Sequence, residues 1–140
     1  MKVFLDANIL VAVLNKEYPL FTSAAKLLSL SDNKRFTIFT SPVCLAIAFY
    51  FAEKKHGTQL AKSKIALLAQ HLEIANCGKK EVLNATDNSK VNDFEDGLEY
   101  YAAVHAGCTS FVTEDKEDFY FSEIEISGAE DFLIKYAVPK

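Results

Sequence analysis

The chain has 140 residues, 50% of them hydrophobic and 24% charged, with a formal net charge of −4. That is long enough to bury a core without disulfides or a structural metal, and residues 1–140 read as a single domain with no linker, repeat or low-complexity tract. Arg35 is the only arginine, so charge alone will not hold nucleic acid tightly, because that affinity comes from neutralising phosphates; a nuclease whose carboxylates gather around a cation is not excluded.

In chain order, Val3-Phe4-Leu5 is an uninterrupted apolar run of the kind a strand covered on both faces requires. From Asn8 the period changes: Ile9, Leu10, Val13 and Leu14 fall at helical spacing, with Asn8 as the expected N-cap. Asp6 therefore stands where a strand ends and a helix begins, the edge at which open α/β sheets bind ligands. Capping or a turn would also explain it. Pro19–Leu30 reads as an amphipathic helix, Phe36–Thr40 as a second strand, and Ser41-Pro42 as the N-cap and first position of a strongly apolar helix over Val43–Lys55, suited to the core or to a subunit contact. Thr58–His71 is predicted helical on Leu60, Ile65, Leu67 and Leu68, with Lys62 and Lys64 outward. Leu72–Ala75 is a short strand candidate and Lys79–Thr86 a short helix. Asp93–Ala106 is helical with Leu98, Tyr101, Ala102 and His105 at core spacing, ended by Gly107. Thr109–Thr113 and Glu123–Ile126 are the remaining strands, and Ala129–Tyr136 a closing helix. Alternation of strands and helices predicts an α/β fold, a three-layer α/β/α sandwich around a parallel sheet.

Cys44, Cys77 and Cys108 are odd in number and unpaired in spacing, so they read as reduced thiols and not as a zinc site. The start of the chain lacks a signal-like apolar segment and no apolar run approaches roughly 18 residues, which points to a cytoplasmic protein with no membrane span.

Three acidic groups occupy equivalent places in the alternation. Asp6 follows the first strand, Asp93 and Asp96 open the helix before the Phe111 strand, and Asp115 and Asp118 follow that strand. Taken singly, Asp93 and Asp96 could simply complement a helix dipole, and Asp115 and Asp118 could be turn residues. Parallel strands bring these segments to one rim, where packed like charges call for a hard divalent ion with oxygen ligands, Mg²⁺ or Mn²⁺.

Phe4-Leu5-Asp6-Ala7-Asn8-Ile9-Leu10, Asp93-Phe94-Glu95-Asp96-Gly97-Leu98 and Val112-Thr113-Glu114-Asp115-Lys116-Glu117-Asp118-Phe119 resemble, in order and spacing, the three signature segments of PIN-domain proteins, which include the VapC-type toxins of toxin–antitoxin pairs. The resemblance implies an Mg²⁺- or Mn²⁺-dependent endoribonuclease, commonly a homodimer, with RNA as substrate and a cognate antitoxin as partner. It implies metal-binding roles for Asp6, Asp96 and Asp115, a further acidic role for Asp118, and supporting roles for Asn8 and Thr113. Asp93 is a further candidate for ordering a second ion or a water, and Lys54, Lys55 and Lys62 for meeting RNA, although a solvated helix face explains the lysines as well. His105 reads as a packing residue.

The chain departs from the family pattern at one place. A glutamate is usual near the start of the helix after the second strand, and the matching position here is Ile47; the next carboxylate on that helix, Glu53, lies on another face. The expectation is a site short of one ligand, which leaves a second reading open: a weakened or inactive PIN-like domain that binds RNA or protein. A receiver-type or phosphoryl-transfer domain built on Asp6 would want a glycine-rich phosphate loop, and none is present.

Overall fold

The structure, a computed structural model, describes residues 1–137; the last three residues of the expected domain lie outside the described residues. Five strands form one wholly parallel sheet: β1 (Lys2–Leu5), β2 (Thr37–Thr40), β3 (Glu73–Ile74), β4 (Ser110–Val112) and β5 (Glu125–Ser127), in the order β3-β2-β1-β4-β5. All three residues Val3, Phe4 and Leu5 are buried, as are Ser110, Phe111 and Val112. Successive strand residues point to opposite faces, so the two central strands are covered on both sides, as a three-layer α/β/α sandwich demands. Phe4 and Phe111 stack across the β1–β4 seam with ring centroids 5.0 Å apart, and Phe119 packs on Phe111 at 4.5 Å, fastening the loop after β4 to the core.

The helices are α1 (Ala7–Leu14), α2 (Leu20–Ser29), α3 (Pro42–His56), α4 (Thr58–His71), α5 (Lys79–Asp87), α6 (Phe94–His105) and α7 (Ala129–Phe132). The closing helix is shorter than expected and widens into a π turn over Leu133–Ala137. Ser41 caps α3 by accepting from the Cys44 N–H, with Pro42 at the first position, as anticipated. Gly107 ends α6 at φ +86°, a conformation that L side chains rarely adopt, and turns the chain into β4. No helix among the described residues is long and apolar enough to cross a membrane.

Three details correct the sequence reading. Asp6, and not Asn8, is the N-cap of α1, because its carboxylate already accepts from the Ala7 N–H; Asn8 lies within the first turn. In α4 the buried stripe runs through Ala61 and Leu68, leaving Leu60 and Leu67 about half exposed; residues one position away from an i, i+7 stripe are rotated by 100° and leave the contact. The same rotation applies to α6, where Glu99, Tyr100 and Ala103 are buried while Leu98, Tyr101 and His105 are only partly so. His105 is nonetheless satisfied as a packing residue: Nδ1 pairs with Glu81 and Nε2 lies 3.0 Å from Asn84 Nδ2, tying α6 to α5.

Helices α5 and α6 approach closely because residue 97 has no side chain. A Cβ there would lie 2.8 Å from Val91 Cγ1 and 2.9 Å from Ala85 Cβ. Gly97→Ala is expected to destabilise the protein by roughly 1–3 kcal/mol through overpacking, read as a lower urea midpoint; an unchanged midpoint would show that α5 gives way freely. A second prediction concerns pH. Glu81 is held below the ordinary glutamate range first by the Gly78 N–H, at 2.7 Å, and then by His105. A depressed folded pKa contributes stability above the unfolded value of about 4.3, lost as pH falls through the lower folded value. Glu81→Gln should therefore lower the melting temperature at neutral pH, with the gap from wild type closing below about pH 4; a gap that persists undiminished at pH 3 would contradict the linkage.

Candidate active site

In the order β3-β2-β1-β4-β5 the connections run one way from β1 to β2 and β3 and the other way to β4 and β5, so the β1–β4 seam is the topological switch point. Such a seam opens a crevice beyond the strand ends. Asp6 ends β1 there, with its N–H bonded to Val112 O at 3.0 Å, and Thr113 ends β4. The Asp6 carboxylate is 6% exposed; it accepts from the Ala7 N–H at 2.6 Å and from the Thr113 hydroxyl at 2.7 Å. Burial, the largest influence, still raises its pKa above the ordinary aspartate value.

Thr113 is the hub. Its oxygen donates to Asp6 and accepts from Asn8 Nδ2 at 3.1 Å and from the Asp115 N–H at 3.0 Å. Asn8 Nδ2 also donates to Asp115 Oδ2 at 3.1 Å, while Asn8 Oδ1 accepts from the Glu114 N–H at 3.4 Å. Asp6, Asn8, Thr113 and Asp115 are thus one hydrogen-bonded unit spanning more than a hundred residues of sequence. Glu114 turns away to cap α7, accepting from the Ala129 N–H at 2.9 Å.

Helix α6 supplies the opposite wall. Asp93 caps it, accepting from the Asp96 N–H at 3.0 Å, and so sets the turn that presents Asp96 to the same cleft. Burial first, then the charges of Asp93, Asp6, Asp118 and Asp115, push the Asp96 carboxyl up to about 7. The cleft, about 440 Å³, is lined by Asp6, Asn8, Asp93, Asp96 and Asp115 together with Glu17, Glu95, Glu99 and the apolar Ile47 and Phe51; no basic side chain is among its lining residues. Asp118 is not among them: it shares a shallow hollow with Glu114, Asp115, Lys116 and Glu117. Lys54, Lys55 and Lys62 also lie outside the lining. Lys54 rests over the Tyr50 ring at 4.2 Å, and Lys55 bonds to the Asn15 carbonyl.

Glu99 is the residue that sequence reasoning missed. It sits one turn beyond Asp96 on α6, is 2% exposed, and lines the same cleft as Ile47. The ligand atoms of Asp6, Cys44 and Glu99 lie within 4.8 Å of one another, a group to which Asp96 and Asp115 do not belong. Burial and the adjacent Asp6 push the Glu99 carboxyl up to about 11, and burial likewise drives the Cys44 thiol well above its ordinary value. Position 47 on α3 carries no carboxylate, as read from the sequence, while Glu99 on α6 lines the same cleft. The spacing from Asp96, three residues on one helix face, is the signal that could have found it.

The fold defines a class of parallel α/β proteins with an acidic crevice at the switch point. The PIN domain family matches residues 2–134, and the chain belongs to that family. Solved structures with the same fold include a chain of VapBC2 from Rickettsia felis bound to a promoter DNA fragment, 22% identical with a TM-score of 0.68 over 91% of this chain and 97% of that one. The Sarcin-Ricin loop cleaving toxin VapC20 of Mycobacterium tuberculosis is 16% identical, with a TM-score of 0.66 over 88% and 98% of the two chains. VapBC-1 from nontypeable Haemophilus influenzae is 13% identical, with a TM-score of 0.70 over 93% and 99%. No curated protein sequence matches the chain.

Thr113→Val keeps the shape but removes the donor to Asp6 and the acceptor for Asn8 and Asp115. A loss of about 1–3 kcal/mol is expected from the stranded buried groups, measured by chemical denaturation. A variant as stable as wild type would show that water replaces the hydroxyl.

Proposed function

We propose that the protein is a divalent-metal-dependent endoribonuclease acting as the toxin of a toxin–antitoxin pair. The observation that carries this reading is the buried Asp6 carboxylate, held by Thr113 beside a cleft whose charged lining residues are all acidic. Such a cleft repels a phosphodiester unless a cation intervenes. The donor chemistry suits one: Asp6, Asp96 and Asp115 all line this cleft, and carboxylate oxygens favour Mg²⁺ or Mn²⁺ over softer ions.

Asp6, Asp96 and Asp115 would hold the ion, with Asp118 and Asp93 near enough in charge to Asp96 to order water around it. A divalent ion held by these carboxylates would supply Lewis-acid activation of water and stabilisation of charge on the phosphate. Thr113 holds Asp6 in one orientation, Asn8 does the same for Asp115, and the Asp93 cap fixes the turn bearing Asp96; such supporting bonds raise affinity for the ion. RNA flanking the scissile bond would be met outside the cleft by Lys54, Lys55 and Lys62.

The VapBC likenesses support an antitoxin as protein partner. The half-exposed Tyr50 and Phe51 on α3 support pairing with a second copy. The free thiols of Cys44, Cys77 and Cys108 suit a cytoplasmic setting.

Purified protein incubated with single-stranded and structured RNA plus Mn²⁺ is expected to cleave, with chelator abolishing the activity and Asp6→Asn lowering it by roughly a hundredfold or more. Equal inactivity of wild type and variant would favour a binding module that does not cut.

A further inference from the structure

We propose that Glu99 is a ligand of the divalent ion, delivering from α6 the carboxylate that α3 lacks at Ile47; this rests on the nuclease reading of the same cleft. A glutamate this deeply buried ordinarily has donors around it, because an unpartnered polar group in the interior is costly. Glu99 has 2% exposure, and its Oε2 has no hydrogen-bond partner among the described residues. Asp6 already accepts from Ala7 and Thr113, and the Glu99 carboxyl lies in hydrogen-bonding reach of it, so two carboxyls share this space while Glu99 Oε2 stays unpartnered. Cys44, placed by the Ser41 cap, offers a buried sulfur. Ligand atoms of all three lie within 4.8 Å of one another, a spacing that one shared cation can bridge.

A protonated Glu99 merely resting against Asp6 is the competing structural account, and it makes a different forecast. If the residue is only structural, amide replacement leaves metal affinity untouched. If it is a ligand, Glu99→Gln weakens it. Position 47 separates the two further, since Ile47 is half-buried on the wall of the same cleft and can carry a carboxylate into it.

The test is titration calorimetry of Mn²⁺ into the full chain without RNA, with Mn²⁺ electron paramagnetic resonance as a second readout and metal-free thermal melts to verify folding. Wild type is expected to bind, Glu99→Gln to bind at least about tenfold more weakly, and the double variant Ile47→Glu/Glu99→Gln to recover to within a few-fold of wild type. Folded Glu99→Gln binding like wild type, while Asp6→Asn loses binding, would overturn the assignment of Glu99 and leave the nuclease reading standing. Absence of Mn²⁺ binding by wild type would overturn both. A folded double variant that fails to recover, beside a folded Glu99→Gln that binds weakly, would overturn the claim that Glu99 stands in for the carboxylate missing at position 47.

Discussion

The structure depends on keeping one carboxylate, Asp6, buried at the seam between β1 and β4. Removing a carboxylate from water costs several kcal/mol even after relaxation, and hydrogen bonds to a charged group return roughly 1.5–3 kcal/mol each. Bonds from Ala7 and Thr113 reach Asp6 and the Glu99 carboxyl lends further support, yet its pKa remains raised because burial is the larger influence. The local arrangement is thus left short of full compensation, a condition that marks functional sites more often than structural ones. Everything around Asp6 follows from holding it there: the parallel register of β1 and β4 sets Thr113 beside it, and the stacked Phe4–Phe111–Phe119 rings hold the strand ends and the Asp115 loop in place.

Much of this was legible in the residues. Apolar runs of strand length separated by amphipathic segments gave the parallel α/β order, and the Ser41-Pro42 and Gly107 signals located two helix ends, because caps and positive-φ glycines act within a few residues. Strand polarity brought the segments of Asp6 and Asp115 to one rim, and Asp96 was expected to lean over it from the first turn of a neighbouring helix. Local signals failed where rotation about a helix axis decided the outcome. Leu60, Leu67 and Leu98 read as core because they are apolar, while the helices bury neighbouring small or acidic residues instead. Glu99 was hidden for the same reason: a glutamate amid Leu98, Tyr100 and Tyr101 looks like the solvent face of an amphipathic helix. Only the packing of α6 against α3 and α5 turns it inward.

That rotation has a cause in Gly97. Because α5 presses to within 3 Å of where a Cβ would stand, α6 is locked at one azimuth about its axis. The angle that seats Ala85 against residue 97 also sets the directions in which Asp96, just before it, and Glu99, two residues after it, project. The Glu81–His105 pair fixes the other end of the same helix contact. A glycine with no chemistry of its own therefore bears on how Asp96 and Glu99 line the cleft that Asp6 also lines. A change at the α5–α6 contact should reach the acidic cleft without touching a single residue that lines it on the β1 side, which is why helix packing and not the local motif decides how many oxygens this crevice can offer a cation.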